Sequence, residues 1–193
     1  MRNPEEFLQM GDGLLVVDVQ RDFCPGGALP IPEGDKVVPV INAWAEAALK
    51  KHLPVYYSCD WHPEGHPSFK SHGGDWPKHC VQHTPGADFC ADLFLAPASV
   101  VVVKGVRFDQ DQLSVFDQTG FADKLRRDGV DRLWVAGLAL DVCVLETVLD
   151  GVRSGFEVAV IVEGCRPVTP AGGQAALAAM KGADIYLLEE VDD

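Results

Sequence analysis

The feature that most constrains this chain is a recurring one: short apolar runs that do not alternate, separated by helical or loop sequence. Leu14-Leu15-Val16-Val17 is the first, Leu53 to Cys59 the second, and Ser99 to Val103 a β-branched third. Arg132 to Ala136, Glu157 to Val162 and Ile185 to Leu188 complete the series. A strand with one wet face alternates, whereas a strand buried on both faces does not. Between the runs, Lys36 to Lys51, Phe121 to Arg127, Asp141 to Arg153 and Gln174 to Lys181 read as helices. The first of these places Val37, Val40, Ile41, Trp44 and Leu49 on one side. The pattern predicts an α/β fold: a doubly wound, mainly parallel six-stranded sheet with helices on both faces. A length of 193 residues suits one domain spanning 1–193.

One stretch breaks the alternation. Asp60 to Pro97 has no clear period and is rich in His, Pro, Gly and Trp. Structureless segments of that length inside a compact domain tend to be functional. This one leaves the carboxyl end of the second strand, the edge where ligands of open α/β sheets sit. It is expected to be a binding insertion.

Charge narrows the partners. With 16 basic and 29 acidic residues the formal charge is −13, a field that repels nucleic acid phosphates and anionic membranes. Residues 1–9 lack a basic and then apolar signal pattern, and no apolar run approaches the roughly 20 residues of a spanning helix. A cytoplasmic location is therefore expected. The six cysteines contain no C-x-x-C pair and are expected to be free thiols. No G-x-G-x-x-G follows the first strand, and no Walker-A sequence occurs.

Three polar residues stand where chemistry is placed. Asp18 closes the first strand, Lys104 closes the third beside Gly105, and Cys143 follows the fourth at a predicted helix start, with Asp141 as a candidate N-cap. Singly, each has an ordinary explanation: a turn-forming aspartate, a solvent-facing lysine, a core cysteine. Together, on strands of one parallel sheet, an acid, a cation and a thiol converge on one edge and make an activated nucleophile. The helix N-terminus and Lys104 are expected to form the Cys143 thiolate below the free-cysteine pKa of about 8.5. In the insertion, Asp60 and His62 alternate, and His66 and His79 add nitrogen donors, with His72 and His83 expected on the surface. One carboxylate and three imidazoles suit zinc, iron or manganese.

These motifs resemble the nicotinamidase (pyrazinamidase) branch of the isochorismatase-like cysteine hydrolases. The resemblance runs from about Leu14 to Leu187. It rests on Asp18-Val19-Gln20-Arg21-Asp22-Phe23-Cys24-Pro25-Gly26-Gly27, Asp60-Trp61-His62-Pro63, Trp76-Pro77-Lys78-His79-Cys80-Val81, Gly86-Ala87-Asp88-Phe89, Lys104-Gly105 and Gly137 through Val144. It implies a triad of Asp18, Lys104 and Cys143, a cis peptide from Leu138 to Ala139, and an oxyanion hole from the N–H groups of Ala139 and Cys143. It also implies one divalent transition metal, zinc first and iron or manganese next, on Asp60, His62 and His79. His66 matches a fourth position that varies. Phe23 and Trp76 match aromatics flanking a pyridine ring. The implied reaction is hydrolysis of nicotinamide to nicotinate and ammonia through a Cys143 thioester. The implied partner is a small amide, with self-association left open.

The chain departs from the family at Leu140, at Val142 and across Asp109 to Leu113, where threonine, tyrosine or histidine, and tyrosine are usual. Those changes bear on substrate preference. The rival readings are a carbamoyl amidase or isochorismate-type hydrolase, a zinc-water hydrolase with a structural Cys143, and a non-catalytic binding protein.

Overall fold

A computed structural model describes residues 2–189. Its strands are β1 (Asp12–Val17), β2 (Val55–Asp60), β3 (Val100–Lys104), β4 (Arg132–Leu138), β5 (Glu157–Arg166) and β6 (Tyr186–Leu188). Its helices are α1 (Val37–Lys50), α2 (Phe121–Arg127), α3 (Leu145–Arg153) and α4 (Pro170–Gly182). The strands form one sheet in the order β3-β2-β1-β4-β5-β6, with every pair parallel. β1 and β2 are buried along their whole length, as non-alternating apolar runs require. α1 packs across β1, β4 and β5, while α3 and α4 pack together. Right-handed crossovers in a sheet of this order put α1 and the α3–α4 pair on opposite faces.

Chain direction across the sheet reverses between β1 and β4, so the crevice beyond their carboxyl ends is the natural ligand site. Gly137 makes that crevice possible. Its φ is +132°, and a Cβ there would collide with the Val17 carbonyl oxygen. Only glycine lets β4 come that close to β1.

Several local expectations change. Leu49 is 38% exposed, and Ala48 takes the inward place on α1, because the buried stripe follows 37, 41, 44 and 48. β5 runs four residues past Val162, to Arg166, with a register shift against β4 between Val135 and Gly137. The segment joining β2 to β3 holds short 3₁₀ turns at Lys70–His72 and Pro85–Ala87, and bridges pair His62 with Val81 and Phe69 with Trp76.

The six cysteines are not all free: Cys24 and Cys90 form a disulfide across 66 residues of sequence. The pairing arises because the turn after β1 folds against this insertion. Gln20 bridges to Phe89, and Asp22 accepts a hydrogen bond from the Cys80 amide at 2.7 Å. That contact was invisible to spacing alone. Among the described residues no helix is long and apolar enough to cross a membrane.

Candidate active site

Lys104 is the hub. It ends β3, and its ammonium is fully buried. Nζ lies 2.6 Å from Asp60 Oδ1, 2.8 Å from Asp18 Oδ2, 3.4 Å from Cys143 Sγ and 3.3 Å from the Gln112 carbonyl oxygen. Asp18, Lys104 and Cys143 therefore meet directly, with an unexpected fourth member beside them. β2 lies between β1 and β3, and Asp60 pairs in register with Lys104. The sequence reading gave Asp60 to the metal alone; here it also carries half of the lysine's counter-charge. The oxygens of Asp18 and Asp60 and the Cys143 sulfur lie within 4.8 Å of one another. The Lys104 ammonium stands among them and offsets one of the two carboxylate charges.

Asp18 leaves β1 in the left-handed region (φ 48°), which turns its side chain back beneath β2. For a residue other than glycine this backbone costs about 1–3 kcal/mol and is held by its surroundings. Ser58 Oγ donates to Asp18 Oδ1 at 2.6 Å. Sequence reasoning missed Ser58, although its signal was present: it stands two residues before Asp60 on an apolar strand, hence on the same face. Gln20 was missed as well. Its side chain donates to the Asp60 and Ala87 carbonyls and accepts from the Asp60 amide, each at 2.8 Å, pinning the strand end to the insertion.

Cys143 follows the cis peptide that the resemblance implied, on a π-helical turn that the sequence did not announce. The Leu138–Ala139 peptide is cis, and Leu140–Val144 form a π-helical turn before α3 begins. Such turns recur at functional sites. Ala139 O accepts from the Val142 and Val144 amides. Asp141 is not the cap. Its carboxylate instead accepts from the amides of Val168 (2.7 Å) and Thr169 (3.3 Å), tying the turn to the chain after β5.

Electrostatics correct the expected thiolate. Burial pushes the Cys143 thiol well above its ordinary pKa; Lys104 opposes this, while Asp18 and Asp60 add to the push. The resting group is a thiol. Burial also raises Asp18, which Lys104 counters and Asp60 reinforces. Asp60 would rise by burial too, but Lys104, His62 and His79 outweigh that and hold it below the usual carboxylate range. Burial opposes the charge on Lys104, yet its two carboxylates keep it firmly protonated. The cluster thus combines a fixed cation, a fixed anion, a proton acceptor and a thiol.

The other side of Asp60 faces imidazoles. His62 Nε2 lies 3.6 Å and His79 Nε2 4.0 Å from Asp60 Oδ2. His62 Nδ1 donates to Gly105 O (2.8 Å) and His79 Nδ1 to Pro77 O (2.7 Å), which leaves Nε2 of each ring on the side of Asp60. Gly105, at φ +72°, is required: a Cβ there would stand 2.6 Å from His62 Cε1. His66 touches Ser68 Oγ through Nδ1 at 2.7 Å, and its buried Nε2 has no hydrogen-bond partner. Burial lowers the pKa of His66 and His79, favouring neutral rings. For His62, burial is outweighed by Asp60 and the pKa rises. The donor atoms of Asp60, His62 and His79 fall within 4.8 Å of one another, as do those of His62, His66 and Asp111. An unsatisfied buried nitrogen among oriented imidazoles and a carboxylate fits a divalent transition metal. His72 and His83 are exposed.

A narrow cavity, with about 30 Å³ of free space, opens between the two clusters. Cys143, Ala139, Asp60 and His79 line it, together with Phe23, Trp76, Leu113 and Val142 among others. Leu140 is buried but does not line it, so of the departures it is Val142 and Leu113 that make the wall apolar.

Comparison with known proteins places these features in a lineage. The isochorismatase domain profile matches residues 12–190. The chain is 38% identical to the nicotinamidase of Escherichia coli (strain K12), over 93% of this chain and 96% of that protein. It is 36% identical to the nicotinamidase/pyrazinamidase of Mycobacterium tuberculosis, over 91% and 97%. Among solved structures, the pyrazinamidase of Pyrococcus horikoshii in complex with zinc superposes with a TM-score of 0.90 at 40% identity, covering 93% of this chain and 99% of that one. PnC1 from L. infantum in complex with nicotinate gives 0.85 at 36% identity, covering 92% of each.

Proposed function

The chain belongs to the isochorismatase family, and from that premise we propose that it is a nicotinamidase, hydrolysing nicotinamide to nicotinate and ammonia. The observation that carries this reading is one cavity lined by Cys143, Asp60 and His79, with Asp60 in contact with both Lys104 and the imidazoles. We read residues 1–193 as one hydrolase domain whose 60–97 segment brings the imidazoles to the sheet edge.

Cys143 Sγ attacks the carboxamide carbon while Asp18 takes the thiol proton. With the thiol held protonated at rest, transfer to Asp18 and attack are coupled, and Lys104 offsets the negative charge as the sulfur loses its proton. The N–H groups of Ala139 and Cys143 hold the oxyanion. Collapse of the tetrahedral adduct expels ammonia with the proton from Asp18, leaving a thioester. Asp18 then takes a proton from the attacking water, and nicotinate leaves as the thiol re-forms. Phe23 and Trp76 sandwich the ring. Asp60, His62 and His79, with His66 as the fourth ligand, would hold a divalent metal, zinc by preference and iron or manganese as alternatives. When bound, that ion supplies a Lewis-acidic position for a ring nitrogen.

The test is ammonia release from nicotinamide, with and without a chelator, by the wild type and Cys143→Ala. Turnover lost in Cys143→Ala protein that keeps its fold and metal is the expected outcome. Retention of more than a few per cent would make metal-bound water the nucleophile.

A further inference from the structure

Asp111 has no place in the chemistry above, yet it stands against the imidazoles. The segment that carries it is fixed in position. Buried Gln112 donates through Nε2 to Asp117 O at 2.7 Å, accepts from the Val106 amide at 3.1 Å, and offers its carbonyl to Lys104. The neighbouring acids are committed, since Arg107 pairs with both Asp109 and Asp117. The Asp111 carboxylate, half-buried, has no hydrogen bond or ion pair among the described residues. Its donor oxygen lies within 4.8 Å of ring nitrogens of both His62 and His66. The second of these rings holds the buried Nε2 that lacks a partner.

His62 belongs to both donor groups, and its Nδ1 is engaged by Gly105. His62 Nε2 is the ring nitrogen left free for a metal, so the two groups can be read as sharing that residue in one centre. Asp111 is also a wall of the substrate cavity, as are Asp60 and His79. We propose that Asp111 is a further, cavity-side carboxylate ligand of the metal centre. The centre then has five protein donors: Asp60, His62, His66, His79 and Asp111. Two carboxylates neutralise a divalent ion and shift its preference toward harder metals such as Mn²⁺ relative to an imidazole-dominated site. This inference rests on the metal-dependent reading above.

The test is metal binding, read without turnover. Dissociation constants for Zn²⁺ and Mn²⁺ are measured by competition with a chromophoric chelator on the wild type, Asp111→Asn, His62→Ala and the exposed control Asp109→Asn. The visible spectrum of the Co²⁺-loaded proteins is recorded alongside. Asp111→Asn is expected to weaken Zn²⁺ about tenfold, to weaken Mn²⁺ more, and to alter the Co²⁺ bands, with Asp109→Asn unchanged. Zn²⁺ and Mn²⁺ affinities within twofold of wild type and an unchanged Co²⁺ spectrum in Asp111→Asn, with metal lost in His62→Ala, would overturn the role of Asp111 alone. Full metal retention in His62→Ala would overturn the centre itself, and Asp111 with it.

Discussion

Replacing Lys104 with methionine nearly keeps the volume of the side chain and removes its charge and its hydrogen-bond donors together, which tests what the hub contributes. Two carboxylates then face each other at zero or near-zero exposure, where Nζ had stood 2.8 Å from one and 2.6 Å from the other. Breaking a buried ion pair by deleting one partner costs about 3–5 kcal/mol. For a chain of this size that lowers the melting temperature by about 6–20 °C. The contribution of Asp60 to the pH dependence changes in a defined window, while Asp18, raised already in the wild type, works in the opposite sense. In the wild type Asp60 is held below its unfolded value, so its stabilisation is complete above about pH 4 and is lost only on further acidification. In Lys104→Met both carboxylates lose the cation that lowers them, so the folded state binds more protons than in the wild type and stability should gain as pH falls from 7 to 5. Circular dichroism melts of metal-free protein at pH 5 and 7 read both effects. Adding Asp18→Asn to Lys104→Met should recover about 2 °C or more by relieving one charge. A Lys104→Met protein that melts within about 2 °C of wild type at pH 7, with no gain at pH 5, would refute the account of the cluster.

The remaining predictions concern the thiol, the metal and the substrate. With Cys143 resting as a thiol, iodoacetamide should label it slowly at pH 6.5 in free enzyme; labelling there faster than at the other free cysteines would restore the low-pKa thiolate. Gly105→Ala should displace His62 through the 2.6 Å clash and lower metal content per chain measured by elemental analysis, whereas His72→Ala at an exposed position should not. Benzamide, which has the shape of nicotinamide but no ring nitrogen, should be cleaved at least about tenfold more slowly, or about 1.4 kcal/mol; equal rates would mean that the ring nitrogen is not held.

How far such a site can be read from sequence depends on which physical quantity each residue expresses. Asp18 and Lys104 were legible because a polar residue closing a buried strand has to emerge at the sheet edge, whatever the strand order. The order itself was not legible, and it decides who touches whom. With β2 between β1 and β3, Lys104 reaches across to Asp18 and meets Asp60 on the same atom. An aspartate read as a metal ligand from its His62 spacing is thereby also a wall of the nucleophile's cage. The same geometry explains the failed pKa expectation. A helix start is a local feature that sequence reveals, and a cation closing a neighbouring strand follows from the fold class; both lower a thiol's pKa. Complete burial and a second carboxylate are tertiary, and both raise it. The Cys24–Cys90 bridge and Asp111 were silent for the same reason, since each acquires its neighbours only when the insertion and the turns after β1 and β3 fold over one edge. Asp60 is where these consequences meet. One oxygen holds Lys104 and the other faces His62 and His79. Asp60→Asn should therefore damage metal affinity and Cys143 reactivity together, whereas His79→Ala should damage metal affinity while leaving the alkylation profile of Cys143 nearly unchanged. Measuring both readouts in both variants tests that coupling: equal effects of the two substitutions on Cys143 would show that the metal, and not the Asp60–Lys104 pair, governs the nucleophile.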